Sequence, residues 1–189
     1  KDFDTILSKA KVAFSLQNSW YINGFYDGLS LFGEKGNDAD AGMVFPKDGA
    51  DITSYLVDVV ANPNFSNDDG ASGLAAIKDG SADVLFSGTW SAKDVKEALG
   101  DNYAATSLPT FTVNGQKKQM KSVAATKAAA YNPNAKNPKA AAQFAAYLGS
   151  TEAQKLHYEM RAIPPTDKSL SDLTTDDIAA KAQADTMAN

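Results

Sequence analysis

The sequence contains no cysteine and a single histidine among its 189 residues. Without cysteine, the chain has no disulfide, no thiolate metal ligand and no cysteine nucleophile. One histidine leaves little for a histidine-based zinc site or an acid–base relay. Cations are also in the minority, with 18 Lys and Arg against 23 Asp and Glu and a net charge of −5. This balance argues against nucleic-acid binding, and no apolar run reaches the roughly 18 residues of a membrane span.

The remaining composition is that of a globular protein, with 43% hydrophobic, 10% aromatic and 22% charged residues. Short apolar runs at 12–14, 82–86 and 103–108 predict buried strands. Segments whose apolar residues recur three and four positions apart lie between these runs and predict helices. This alternation predicts an α/β fold with helices on both faces of a mostly parallel sheet.

Local signals add further expectations. A helix is predicted from Ser19 onward, with Ile22 and Leu29 on its buried face. Asn-Gly at 114–115 predicts a hairpin turn, and 64–66 is interpreted as an exposed turn. The alanine-rich segment 123–131 is predicted to be a strand or extended.

Catalytic and metal-binding motifs have little support. His157 lies in a helical pattern that predicts a surface position, and the adjacent carboxylates at 68–69 and 176–177 indicate helix caps or solvated loops. Segment 38–42 departs from a calcium loop because its glycine comes one position early, and 70–73 lacks the lysine of a phosphate loop. We therefore predict no catalytic residue, no metal site and no cofactor.

The aromatic residues are more informative. Trp20 and Tyr21 begin a predicted helix, and Trp90 lies at a strand-to-helix turn. Such turns lie at one edge of an α/β sheet, where ligand clefts form. Exposed indoles there would offer flat apolar walls to sugar rings, with Asn18 nearby for hydroxyl groups. The alternative, that both tryptophans fill the margin of the core, stays open at this point.

Several motifs, in order, resemble the maltose/maltodextrin-binding protein family of extracellular solute-binding proteins. They are FSLQNSWY at 14–21, LVD at 56–58, AAIKDG at 75–80, SGTW at 87–90, LPTF at 108–111, NP at 137–138 and AIPP at 162–165. Each motif alone is short, but their succession covers most of the chain. The SGTW segment is similar to the family's GPW-type turn, with its sugar-stacking tryptophan.

The resemblance implies the C-terminal portion of a two-lobed, periplasmic-binding-protein-like fold. Residues 1–122 would form the second, sugar-binding lobe, 123–164 would belong mainly to the first lobe, and 165–189 would return to the second. Trp20 and Trp90 would stack on sugar, with Tyr21 beside them. Asn18 stands where the maltose binder has an acid, which leaves the hydroxyl contacts and the oligosaccharide open.

The resemblance also implies a function and a location. The protein would bind maltodextrin-like oligosaccharides and deliver them to the permease of an ABC transporter, outside the cytoplasm. Whether a lipid anchor lies ahead of Lys1 stays open. The chain alone would bind weakly, and segment 123–164 would pack differently or exchange with a second copy to form a homodimer. Two other classes stay open: a fragment of a carbohydrate-active enzyme, and a sugar-binding adhesion module. The enzyme would need two carboxylates roughly 5–10 Å apart at the sugar, and only Asp94 follows Trp90 closely.

Overall fold

The structure is a computed structural model that describes residues 1–123 and 125–188. Its α-helices are α1 (Phe3–Lys9), α2 (Ser19–Ile22), α3 (Gly49–Ala61), α4 (Ser72–Asp79), α5 (Ala92–Leu99), α6 (Pro138–Leu148), α7 (Thr151–Arg161) and α8 (Ile178–Met187). Its strands are β1 (Val12–Phe14), β2 (Phe65–Asn67), β3 (Val84–Phe86), β4 (Thr110–Val113) and β5 (Gln116–Gln119). Short 3₁₀ segments span Asn23–Phe25, Thr89–Ser91, Gly100–Asn102 and Lys168–Thr174. None of the described helices is long and apolar enough to cross a membrane.

A parallel sheet of order β2-β1-β3 forms the centre of the fold. Because side chains alternate along a strand, Val12 and Phe14 of β1 face one side and Ala13 faces the other. The first side packs against α1 and α3, through Phe3 and Ile52 among others. The opposite side packs against Ile77 of α4 and against Leu85, Val95 and Leu99. The predicted α/β fold with helices on both sheet faces is therefore confirmed.

Phenylalanine rings form the centre of the larger core. Phe14 stacks on Phe86 of the neighbouring strand, with ring centroids 4.6 Å apart. Phe3 of α1 contacts Phe86 edge-on at 5.3 Å. Because these rings bridge α1, β1 and β3, they fix the ends of the two strands from which the candidate site projects.

The β4–β5 hairpin closes one side of this core. Asn114 and Gly115 both have positive φ, at 49° and 73°, which a tight hairpin turn of this kind requires at both central residues. Phe111 and Met120 then point into the core and are 1% exposed. The predicted Asn-Gly hairpin is confirmed.

The predicted helix from Ser19 is shorter than expected. Its α-helical part ends at Ile22 and continues as the 3₁₀ segment Asn23–Phe25. The backbone of Lys121 packs directly against Gly24, and its N–H donates to the Gly24 carbonyl at 2.8 Å. The Gly24 carbonyl therefore bonds to a distant segment, and Leu29 packs against the core without being helical.

Two expectations about strands were wrong. Residues 103–108 form no strand, because the described sheet ends at β3 and offers them no partner. The Leu108 N–H instead donates to the hydroxyl of Thr186 in α8 at 3.1 Å. The exposed turn predicted at 64–66 overlaps strand β2 (Phe65–Asn67), which pairs with β1. In segment 123–131, residues 125–131 carry no strand, and Ala124 lies outside the described residues.

Candidate ligand-binding site

Both tryptophans lie beyond the carboxyl ends of neighbouring parallel strands. β1 and β3 pair in register, with Phe14 opposite Phe86 as the last residue of each strand. The chain leaving β1 reaches Trp20 and the chain leaving β3 reaches Trp90, so both loops emerge at the same sheet edge. Trp20 is 43% exposed and Trp90 is 58% exposed. This edge is where open α/β sheets form ligand crevices.

Trp20 is held outward by a short, capped helix. The Asn18 side-chain oxygen accepts a hydrogen bond from the Trp20 N–H at 2.9 Å, which caps the start of α2. The following residues, Tyr21 and Ile22, pack against the core. Because successive residues point about 100° apart around a helix, this packing turns Trp20 toward solvent. Asn18 itself is exposed.

Tyr21 connects the two loops. Its ring contacts Phe14 edge-on with centroids 5.9 Å apart, and its hydroxyl interacts with the side chain of Ser87, the first residue after β3. Burial raises the pKa of the Tyr21 phenol above its ordinary value, while the nearby Ser87 side chain opposes this rise. The phenol is therefore neutral at physiological pH and available for hydrogen bonding.

Trp90 lies in a braced turn. The Ser91 N–H donates to the Gly88 carbonyl at 3.1 Å, and the hydroxyls of Ser87 and Ser91 lie 2.9 Å apart. Helix α8 packs against the same 3₁₀ segment, Thr89–Ser91. The indole is therefore carried by a turn that is fixed both by its own hydrogen bonds and by a neighbouring helix.

Strand β2 also ends at this edge, and it brings there a buried carboxylate that the sequence did not predict. Asp68 follows β2 and is only 8% exposed, so its interpretation as part of a solvated loop was wrong. Its Oδ1 accepts hydrogen bonds from the N–H groups of Gly70 and Gly73, both at 2.9 Å, at the start of α4. Its negative charge also contributes to the raised pKa of Tyr21. The D-x-G spacing before a predicted helix was the available signal, because Asp accepts such bonds in turns and caps.

The neighbouring Asp69 is exposed and has a different role. It accepts hydrogen bonds from the Ala71 and Ser72 N–H groups at 3.1 and 3.0 Å. These backbone hydrogen bonds lower the pKa of Asp69 below its ordinary value. Both carboxylates therefore accept bonds from backbone N–H groups at the start of α4, which confirms the capping alternative, and only Asp69 is also solvated.

The chemistry of this edge suits an uncharged, polyhydroxylated ligand. It combines two exposed indoles with a phenol, serine hydroxyls and the amide of Asn18, and its carboxylates are occupied by backbone donors. Within residues 1–123 and 125–188, no group of three His, Cys, Asp or Glu side chains is arranged to hold a metal ion. Apolar faces beside hydroxyl donors and acceptors are the complement of a sugar ring.

The fold and this edge define a ligand-binding α/β protein, and sequence comparison identifies its family. The profile of the bacterial extracellular solute-binding proteins matches residues 1–186. The chain belongs to this family, whose members bind solutes and are not enzymes. The expectation of a non-enzymatic binding protein is confirmed by this membership. None of the curated protein sequences matches the chain.

Solved structures of similar proteins share the fold of this chain. A protein solved with acarbose shares 41% identity with this chain and superposes with a TM-score of 0.91 over all of it. The maltodextrin binding protein MalE1 from L. casei BL23, solved without ligand, shares 24% identity over 96% of the chain, with a TM-score of 0.76. The Thermus thermophilus maltotriose binding protein, solved with maltotriose, shares 15% identity over 100% of it, with a TM-score of 0.68. The chain spans 51%, 50% and 53% of these three proteins, respectively.

Proposed function

We propose that residues 1–122 and 165–189 of this chain form the aromatic lobe of an oligosaccharide-binding protein that serves an ABC importer. Its ligand would be a maltodextrin-like sugar that stacks on Trp20 and Trp90 and forms hydrogen bonds with Tyr21 and Asn18. The observation that carries the proposal is the exposure of both indoles beyond the carboxyl ends of adjacent strands. The acarbose complex of the 41% identical protein supports the choice of sugar class.

The proposed mechanism is closure of two lobes over the sugar, without chemical change. Sugar bound to the aromatic lobe would be covered by the other lobe, and the closed form would engage the permease outside the cytoplasm. The family description places its members outside the cell. Specificity would come from stacking together with hydroxyl hydrogen bonds, each contributing about 0.5–1.5 kcal/mol net.

The energetics predict weak binding by this chain alone. Covering about 100 Å² of one indole face contributes about 2.5 kcal/mol at about 25 cal/mol per Å². A two-lobed site of micromolar affinity corresponds to about −8 kcal/mol, and half of that free energy corresponds to a millimolar Kd. We therefore expect a Kd near 1 mM for maltotriose and residues 1–189, roughly the affinity of one lobe.

Segment 123–164 would belong mainly to the first lobe, with 1–122 and 165–189 forming the second. Its helices expose large apolar side chains, with Phe144 of α6 62% exposed and Met160 of α7 71% exposed. Helix α6 buries none of its residues, which supports a role in packing against further protein. In residues 1–189 alone, exchange of this segment between two copies would cover it. Size-exclusion chromatography tests the exchange, because a dimer supports it and a monomer contradicts it.

The experiment for the proposed function is a maltotriose titration followed by tryptophan fluorescence. The chain has only two tryptophans, and both belong to the proposed site. We expect a saturable fluorescence change in the wild-type chain. Trp90→Ala should raise Kd at least tenfold, because it removes one stacking face worth about 2.5 kcal/mol.

The matched control is Phe144→Ala, which truncates an equally exposed aromatic side chain far along the sequence from the site. It should leave Kd unchanged, and circular dichroism should show that both variants fold. Unchanged binding in Trp90→Ala would contradict the proposal. Release of reducing sugar from maltotriose would instead favour an enzyme.

A further inference from the structure

The Trp90 indole lies directly against the backbone of Gly88. A Cβ atom added at Gly88 would lie 2.5 Å from Cε3 of the indole, and closer still to Cζ3 and Cη2. Real Cβ atoms essentially never lie within 3.0 Å of a heavy atom outside their own and the adjacent residues. The six-membered ring of the indole therefore occupies the space that any other side chain at position 88 would need.

Backbone conformation does not explain this glycine. Gly88 has φ −100° and ψ 176°, an extended conformation that every residue adopts readily. It differs in this respect from Gly80, whose φ of 77° at the end of α4 favours glycine. The structural reason for glycine at position 88 is therefore the space it leaves for the indole.

In this contact the Gly88 backbone supports one face of the indole, while most of the side chain stays exposed. The turn beneath it is braced by the Ser91 N–H bond to the Gly88 carbonyl and by the Ser87 and Ser91 hydroxyls. With 58% of Trp90 exposed, the ring has a supported side and an open side. A stacking wall of this kind is preorganised, because its orientation is set before the ligand arrives.

We propose that Gly88 is a positioning residue that orients the Trp90 indole for sugar stacking. This inference rests on the proposed function, since it assumes that Trp90 contacts the ligand. Gly88 acts through Trp90 and need not touch the sugar itself. A methyl group at position 88 would displace the indole from the Gly88 backbone and change the face that Trp90 presents to the sugar.

The test is Gly88→Ala in the full chain, titrated with maltotriose. We expect Kd to rise about tenfold or more, approaching that of Trp90→Ala, because the stacking surface is displaced. In a Trp20→Phe background, where Trp90 is the only tryptophan, the tryptophan emission maximum should shift in Gly88→Ala before any sugar is added. Gly149→Ala is the matched control, because Gly149 also has negative φ, −89°, and its added Cβ would lie 3.7 Å from its nearest neighbour.

A double variant separates positioning from general stability. With Trp90→Ala in place the indole is absent, so adding Gly88→Ala should change neither Kd nor the melting temperature. If Gly88→Ala alone folds poorly, the double variant should regain the stability of Trp90→Ala. Equal losses in both backgrounds would overturn the inference.

The outcomes also separate the inference from the proposed function. If Trp90→Ala binds maltotriose as tightly as wild type, the proposed function fails. If Trp90→Ala weakens binding while Gly88→Ala binds as wild type, only the positioning role of Gly88 fails.

Discussion

Trp20 and Trp90 are held at the same sheet edge by different means. Trp20 depends on a four-residue helix that Asn18 caps, while Trp90 rests on the bare backbone of Gly88. The sequence predicted the edge position of both turns from the strands before them. It did not predict the exposure of the indoles, because exposure depends on which neighbours reach the core, here Tyr21 and Ile22.

At the residue scale, Asn18 has a structural role that is separable from any ligand contact. Asn18→Ala should lower the free energy of unfolding by about 1 kcal/mol, because it removes the cap of α2. Asn18→Asp should stay within a few tenths of a kcal/mol of wild type, roughly as expected for two caps of equal rank. Urea unfolding followed by circular dichroism measures both values. Equal destabilisation by the two substitutions would show that the cap contributes nothing.

At the scale of elements, the sequence predicted helices better than strands. Helix α3 has an apolar stripe that includes Ile52 and Leu56, and Asn-Pro at 62–63 follows its end. Helix α6 begins at the Asn-Pro of 137–138. These local patterns are enough to predict both helices. A strand needs a partner, and three-residue strands such as β2 have too few residues to show alternation. The same reason explains residues 103–108, whose apolar pattern finds no described partner beyond β3.

The link between α7 and α8 gives a prediction about alkaline pH. The Tyr158 hydroxyl donates to Asp177, the cap of α8, at 2.9 Å. Burial, followed by this bond and the charge of Asp177, raises the pKa of Tyr158 to about 12. The folded state therefore favours the protonated phenol. The stability that this phenol contributes is fully present below the unfolded-state pKa of about 10. It is lost as pH rises toward the pKa of Tyr158 in the folded protein.

Tyr158→Phe removes this bond and isolates its contribution. We expect the free energy of unfolding of the variant to be about 1 kcal/mol lower than that of wild type at pH 8. The difference should shrink as pH rises above about 10, because the Tyr158 phenol of the unfolded wild type then ionises while the folded protein still holds it protonated. Urea unfolding of both proteins across this range measures the difference. A difference that stays constant to high pH would contradict the assignment.

At the scale of the whole molecule, the chain spans about half the length of the similar proteins of known structure. Its aromatic edge and the exposed apolar faces of α6 and α7 then have one explanation in the proposed two-lobed protein. In that proposal the edge would meet the sugar, while the helices would pack within the other lobe. Sequence motifs alone suggested this arrangement, since contacts between lobes leave no signal in local periodicity.

The central claim is that both indoles form one sugar-binding surface, and ¹H–¹⁵N correlation NMR tests it most directly. The two tryptophans give two indole N–H signals, which are resolved from the backbone amides. Upon titration of residues 1–189 with maltotriose, we expect both signals to shift together along one binding curve with a millimolar midpoint. If both indole signals stay in place at saturating maltotriose, the account is wrong.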